Sequence, residues 1–518
     1  MMKAADLPDY YNICSILEHN LVIRPNKVAL VSETTSMTFA EVSDQVNQIG
    51  NALRSSGVRF GDCVGILSPD KAEWVTTFFG ITKIGGVALG MNTLLKGPDY
   101  DYILRDSRVR VIVVDESLLE LLEPVRDEHP TLEQVVVIGT PQRENDISFS
   151  DWLSDQSAQL EAAATHRDDF CSLHYSSGTT GVPKGVLHAH KDYPLIAQLS
   201  GVDLFGLSES DRTFSVAKLF FVYGIGANLV FSWYVGASCV LFSGSPRQVA
   251  GVLKTIDAHK PTVFVSVPTV YAAILALPKF NERYDLSSVR MCLSAGEALP
   301  IPAWHKWKET TGLEILDTIG CTETFHTFLA NRPGDIRPGS SGKPFAGYDI
   351  RIVDDEGFDV QQGEVGHLMV RGESVALFYM HQYEKSRETF RGEWLFTGDR
   401  YRVDEDGFYW HAGRGDDMLK IGGLWVSPIE IENVLSSYDA VLECAVIGHK
   451  DPAGLIKPKA LIALKDGFEM SADIETALHR LCIKGLEAHK RPRWLEFVSA
   501  LPRTATGKVQ RFKLYDSN

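Results

Sequence analysis

The chain has 518 residues, 44% hydrophobic and 23% charged, a composition of ordinary globular proteins that points to two or three domains and gives no ground for disorder. Its 51 basic and 67 acidic side chains leave a net charge of −16, which argues against nonspecific binding to nucleic acid or to an anionic membrane. The eight cysteines are scattered without a CxxC pair, no basic segment precedes an apolar run at the start, and no apolar stretch reaches the roughly 18 residues of a membrane span, so the expected setting is the cytoplasm.

In chain order, the first 400 or so residues alternate between two patterns. Thr38–Ser55 and Ala72–Ile84 read as helices, and Thr38 with Glu41 three residues on has the form of a capping box. Val109–Val114, Val135–Ile138 and Thr262–Val267 are β-branched runs that read as buried strands. Such alternation predicts α/β layers with parallel strands. Near residue 345 the pattern changes to short strands, Tyr348–Asp354, Gly366–Arg371 and Gly407–His411, separated by glycine and acidic turns, which predicts a β-rich module.

Gly413-Arg414-Gly415-Asp416-Asp417 then reads as an exposed boundary. After it come a helix at Pro428–Leu435, strands at Glu443–Ile447 and Ala460–Leu464, a helix at Ser471–Leu481 and a strand at Trp494–Val498. The expected fold is therefore α/β: a large multi-subdomain N-terminal domain, residues 1–415, with layered sheets and the β-rich module, plus a small mobile α+β C-terminal domain, residues 416–518. From Asp416 onward there are 14 basic and 14 acidic residues, but Arg480 to Asn518 holds 9 basic against 3 acidic. A basic end on an acidic protein suits a small polyanionic ligand, although a solvated basic face is the blander explanation.

The most informative segment runs from Tyr175 to Val186. Gly178, Gly181 and Gly185 let backbone N–H groups turn toward an anion. Ser176, Ser177, Thr179 and Thr180 add hydroxyls, and Lys184 adds a point charge. The spacing is not that of a Walker A loop, since the lysine comes three residues after Gly181 and is followed by glycine.

This segment resembles the phosphate loop of the adenylate-forming superfamily, which includes acyl-CoA synthetases, luciferases and nonribosomal-peptide adenylation domains. Further stretches resembling that family follow in order: Ser294–Ala298, Gly320–Glu323, Thr397–Asp399, Gly413–Asp417 and Pro502–Lys508. The resemblance implies ATP and CoA as co-substrates and Mg²⁺ as cofactor. It implies that residues 176–184 hold the β- and γ-phosphates, that Glu323 binds the metal and that Thr322 contacts phosphate oxygens. Gly296, Glu297, Ala298, Asp317, Thr318 and Ile319 form the adenine pocket by the same implication. Asp399 anchors the ribose, and Arg414 assists at ribose or phosphate.

Lys508 is the residue expected to bridge the acid carboxylate and the α-phosphate. Asp416 is the expected hinge, and Lys420, Gly422 and Gly423 are expected to line the pantetheine tunnel once the small domain rotates.

Within the superfamily the nearest resemblance is to benzoate-CoA ligases. It is carried by Lys218–Asn228 and Ile319–Gly334. It implies an acid pocket of Phe221, Val222, Tyr223, Ala295, Gly320, His326 and Thr327. Aromatic walls suit a flat ring, Gly320 leaves room for it, and His326 can donate to a carboxylate. Val222, Thr318, Cys321 and Thr327 depart from the usual benzoate-ligase pattern. A hydroxyl at 327 suits a ring bearing OH or NH₂.

The expected activity is ATP-dependent activation of an aromatic acid and its transfer to CoA by a monomer or homodimer. An enzyme that loads a separate carrier protein is the alternative inside catalysis. An inactive nucleotide-binding regulator is the alternative outside it, and the joint presence of Lys508, Glu323 and Asp399 counts against that.

Overall fold

The computed structural model describes residues 2–176, 183–415, 417–421, 424–452, 455–503 and 509–515. A seven-stranded sheet runs in the order Ile147–Ser148, Gln134–Ile138, Val111–Asp115, Cys63–Leu67, Val87–Gly90, Phe170–Ser176, Lys184–Ala189. All its neighbours are parallel except the last two, which form an antiparallel hairpin. Cys63–Leu67 and Val111–Asp115 are buried at every position, as strands covered on both faces must be.

A nine-stranded sheet places Ile315–Gly320, Met291–Ser294, Val263–Ser266, Arg212–Ser215, Ser238–Val240 and Val28–Val31 side by side and parallel. Antiparallel strands Thr327–Ala330 and Lys343–Pro344 extend one edge.

Helices Phe39–Ser55 and Ala72–Lys83 lie in the core that the two sheets share. Nearly every residue of Ala72–Lys83 is buried, the mark of a helix enclosed on all sides. Phe79 stacks on Trp233 with centroids 5.1 Å apart, and Phe39 meets the same indole edge-on at 5.7 Å.

The β-rich module is a five-stranded antiparallel sheet of Tyr348–Val353, Gly366–Gly372, Trp394–Val403, Phe390–Arg391 and Tyr409–Arg414. Beyond it, Val441–Lys450, Ile456–Leu464 and Trp494–Phe497 form a three-stranded sheet. Helices Pro428–Leu435 and Ala472–Gly485 pack on it around a separate core that includes Ile431, Leu435, Val446, Ile462 and Leu478.

The fold is thus the expected α/β architecture with a large N-terminal and a small C-terminal part. The predicted strand at Gly407–His411 is shifted to Tyr409–Arg414, because Gly407 turns with φ near +81°. Gly413 and Arg414, read from the sequence as boundary, are instead the end of that strand.

The capping box at Thr38 is formed. Its hydroxyl accepts from Glu41 N–H at 3.3 Å, and Glu41 accepts from Thr38 N–H at 2.7 Å. Thr38→Ala removes that cap, at a cost of about 1 kcal/mol. Hydrogen exchange should show the first-turn amides of Phe39–Ser55 exchanging roughly fivefold faster, with the rest of the chain unchanged; unaltered exchange in that turn would contradict the capping assignment.

Candidate active site

Ligands of open α/β sheets bind beyond the carboxyl ends of their parallel strands. Ser266, Ser294 and Asp317 stand in register there, on three adjacent strands. Asp317 is buried, its Oδ1 has no partner among the described residues, and its Oδ2 accepts a long bond from Leu299 N–H at 3.5 Å. Burial pushes its carboxyl up to about 7, against the pull of the neighbouring Ser294 hydroxyl and the Leu299 N–H. Gly296 has φ near +93°, and Gly296 and Ala298 are exposed at the mouth.

The strand Phe170–Ser176 delivers Ser176, whose hydroxyl is buried without a partner among the described residues. Ser177, Gly178, Thr179, Thr180 and Gly181 lie outside the described residues, as do Lys508, Asp416, Gly422 and Gly423, and nothing is described of the Lys420 side chain. The chain returns along Lys184–Ala189.

The Lys184 ammonium lies 3.5 Å from the Tyr379 hydroxyl and 4.8 Å over its ring. Tyr379 in turn donates to Glu323 Oε1 at 2.6 Å. Burial lowers the Lys184 ammonium, while Glu323 works in the opposite direction.

Asp399 and Arg414 are cross-strand partners joined at 3.0 Å. Burial alone would raise the Asp399 carboxyl, but Arg414 and His411 outweigh it and hold it at about 2. The Asp399 carboxylate, helped by Glu323, holds the Arg414 guanidinium above its ordinary value. Lys184, Glu323, Asp399 and Arg414, remote in sequence, therefore form one polar cluster.

Two of the residues expected to line the acid pocket, Tyr223 and His326, meet beyond Thr322–Thr324. His326 is buried, and neither ring nitrogen has a hydrogen-bond partner among the described residues. Its ring lies 5.5 Å from Tyr223 and 4.7 Å from Phe231. Burial pushes the imidazole down to about 3 against a weaker opposing pull of the Tyr223 backbone, so at neutral pH one ring nitrogen carries a proton to donate and the other a lone pair to accept.

Thr327 is buried, and its hydroxyl is 3.4 Å from that of Thr318, which donates to Ser294 O at 3.1 Å. Val222 belongs to the main core rather than standing free. Phe221 packs on Phe220 at 4.5 Å, and Ala295 is buried beside the carboxyl end of Met291–Ser294.

Two glycines have reasons other than room for a ligand. A Cβ at Gly320 would lie 2.3 Å from the His326 carbonyl oxygen, and one at Gly226 would lie 2.5 Å from the His326 ring. Glycine at 320 is therefore demanded by the hairpin itself, a requirement that stands beside the room it is expected to leave for a ring.

The family profile described as AMP-binding enzyme matches residues 17–380, and the one described as AMP-binding enzyme C-terminal domain matches residues 430–508. The chain belongs to the AMP-binding enzyme family. Among curated members of the family, the benzoate–CoA ligase of Thauera aromatica is 44% identical over 99% of this chain and 97% of its own length. The 4-hydroxybenzoate–CoA/benzoate–CoA ligase of Rhodopseudomonas palustris is 37% identical over 98% and 94%. Among solved members, the anthranilate CoA ligase AuaEII in complex with anthranoyl-AMP is 58% identical, with a TM-score of 0.97 over 100% of this chain and 99% of that one.

For this AMP-binding enzyme, sequence reading missed Tyr379. No periodicity links it to Glu323 or Lys184; the bridge between Val186 and Tyr379 and the bonds from Met380 N–H to Gly185 O and from Ala376 N–H to Glu323 O bring it there.

The raised Asp317 carboxyl gives a pH test. The folded state binds its proton more tightly than the unfolded chain, so its contribution is fully present below about pH 4 and is lost as pH rises through about 7. Asp317→Asn should remove a decline on the order of a few kcal/mol between those limits. Denaturant midpoints measured from pH 4 to 8 check this; parallel wild-type and variant curves would contradict it.

Proposed function

We propose that the enzyme activates a substituted benzoate with ATP as an aryl-adenylate and transfers the aryl group to CoA, releasing pyrophosphate and AMP. One observation carries the reading: a single short segment, Thr322–His326, presents Glu323 to the Lys184–Tyr379 cluster and His326 to the rings of Tyr223 and Phe231. Adenylation must bring a carboxylate and a phosphate together, so anion-binding and ring-binding surfaces have to meet.

In this reading Lys184 and residues 176–181 receive the phosphates. Asp399 accepts from the ribose hydroxyls, with Arg414 beside it. Asp317, Thr318, Ile319 and Gly296–Ala298 face the adenine, and Thr322 touches phosphate oxygen. Lys508 neutralises charge as the carboxylate attacks the α-phosphate.

No cluster of three metal-ligating side chains occurs among the described residues. Glu323 fits Mg²⁺ nonetheless: Tyr379 donates to Oε1 alone, and magnesium takes few protein carboxylates beside phosphate oxygens and water. Bound there, the ion supplies neutralisation of phosphate charge. For the second half-reaction, Asp416 is the proposed hinge between residues 1–415 and 416–518, with Lys420, Gly422 and Gly423 along the pantetheine path.

His326, neutral in its apolar surroundings, donates one N–H to the acid carboxylate. Tyr223 and Phe221 flank the ring, with Val222 and Ala295 behind them and Gly320 at the edge. Thr318 spends its proton on Ser294 O, so Thr327 donates to Thr318 and keeps its lone pairs. A ring substituent at that point must donate, as NH₂ or OH does. The high similarity to an enzyme holding anthranoyl-AMP supports an amino group.

Incubation with ATP, Mg²⁺, CoA and a panel of acids should yield aryl-CoA and AMP from 2-aminobenzoate and hydroxybenzoates; turnover confined to aliphatic acids would overturn the reading. Thr327→Val keeps shape and removes the hydroxyl. It should lower kcat/KM for amino- or hydroxybenzoate roughly tenfold and spare benzoate; equal effects on both acids would contradict the substituent contact. Lys508→Ala should abolish adenylate formation yet leave thioester formation from supplied aryl-adenylate largely intact, and a parallel loss of both steps would exclude its assigned role.

A further inference from the structure

Phe325 is fully buried with φ near +66° and ψ near −40°. A bulky residue there is an outlier that persists only when its surroundings hold it. Its neighbours do. The Phe325 ring is caged by Tyr193 at 4.4 Å, His188 at 4.8 Å and His174 at 5.9 Å.

The carbonyls on either side of Phe325 are tied down as well. Glu323 O accepts from Ala376 N–H at 2.7 Å, Thr324 O from Ser374 Oγ at 2.9 Å, and His326 O from Thr324 Oγ1 at 2.6 Å. Thr322 O accepts from His188 Nε2 at 2.8 Å.

His188 has no exposed surface, and both its ring nitrogens face oxygen. Nδ1 is 2.9 Å from Asp192 Oδ2, which also accepts from Ala189 N–H at 2.9 Å. The Asp192 carboxylate thereby holds the imidazole so that Nε2 faces the Thr322 carbonyl. His188 lies on the strand that begins at Lys184. It therefore couples the strand of the lysine to the segment of Glu323.

Resting on the proposed adenylation reading, we infer that His188, oriented by Asp192, is a positioning residue that holds Thr322 and Glu323 in register with Lys184 for the adenylation half-reaction. It touches no reacting atom. Its effect falls on the step that uses phosphate chemistry, because its hydrogen bond ends on the Thr322 carbonyl while the Phe325 ring keeps Tyr193 and His174 as neighbours. His326, on the far side of Phe325, keeps its separate fixings.

Glutamine places an amide N–H near the position of histidine Nε2, whereas asparagine reaches only that of Nδ1. His188→Gln should retain adenylate formation within about threefold. His188→Asn should lose roughly 10- to 100-fold, the usual range for removing an orienting partner. Both should convert supplied aryl-adenylate and CoA to thioester at the wild-type rate, with melting temperatures similar to each other.

Equal adenylation by the two variants, or loss of both half-reactions in proportion in His188→Asn, would overturn the inference. If either variant fails to fold, Asp192→Asn decides: selective loss of adenylation supports the inference, and loss of both steps or neither rejects it. Absence of adenylate formation by the wild-type enzyme from any aryl acid would instead reject the function proposed above.

Discussion

The site depends on one backbone constraint, the reversal at Phe325. Without its positive φ the chain could not send Glu323 toward Lys184 and Tyr379 while sending His326 toward Tyr223 and Phe231. The surrounding protein meets that cost with a caged ring and a set of hydrogen bonds to the flanking carbonyls. Folding stability and function therefore act on the same few residues, and the strained position lies where two chemically different surfaces have to adjoin.

The electrostatics divide along the same line. On the polar side, charges are paired and held ionised: Asp399 stays a carboxylate because Arg414 and His411 outweigh burial. On the apolar side, burial wins, and His326 is kept neutral in an aromatic enclosure. A neutral imidazole is the form that can donate one hydrogen bond without placing an uncompensated charge in that enclosure. Asp317 lies between these limits, buried with an oxygen unpartnered among the described residues, where its parallel pairing with Met291–Ser294 ends.

Much of the architecture was legible in the sequence, because it rests on local signals. The β-branched runs became buried parallel strands, Thr38 capped its helix through Glu41, and Pro428–Leu435 formed as read. Strand ends were less legible. The sequence pattern begins a strand at Gly407, where the backbone turns, and gives Gly413–Asp417 the composition of a linker, although Gly413 and Arg414 pair within a sheet. Site residues in contiguous motifs could be named from resemblance. The partners that hold them could not: Tyr379, Ser374 and His188 reach Glu323, Thr324 and Thr322 across 56, 50 and 134 positions, through topology rather than spacing. Gly320 shows the same limit, since its close contact with the His326 backbone exists only once the hairpin has formed.

A crystal structure with a non-hydrolysable aryl-adenylate analogue tests the central claim most directly, that one segment joins a phosphate surface to an aryl surface. The account predicts the aromatic ring between Tyr223 and His326, its substituent beside Thr327, and the phosphate mimic on the Lys184 and Glu323 side of Phe325. An analogue bound with its ring elsewhere, or with both ends on one side of Phe325, would contradict it.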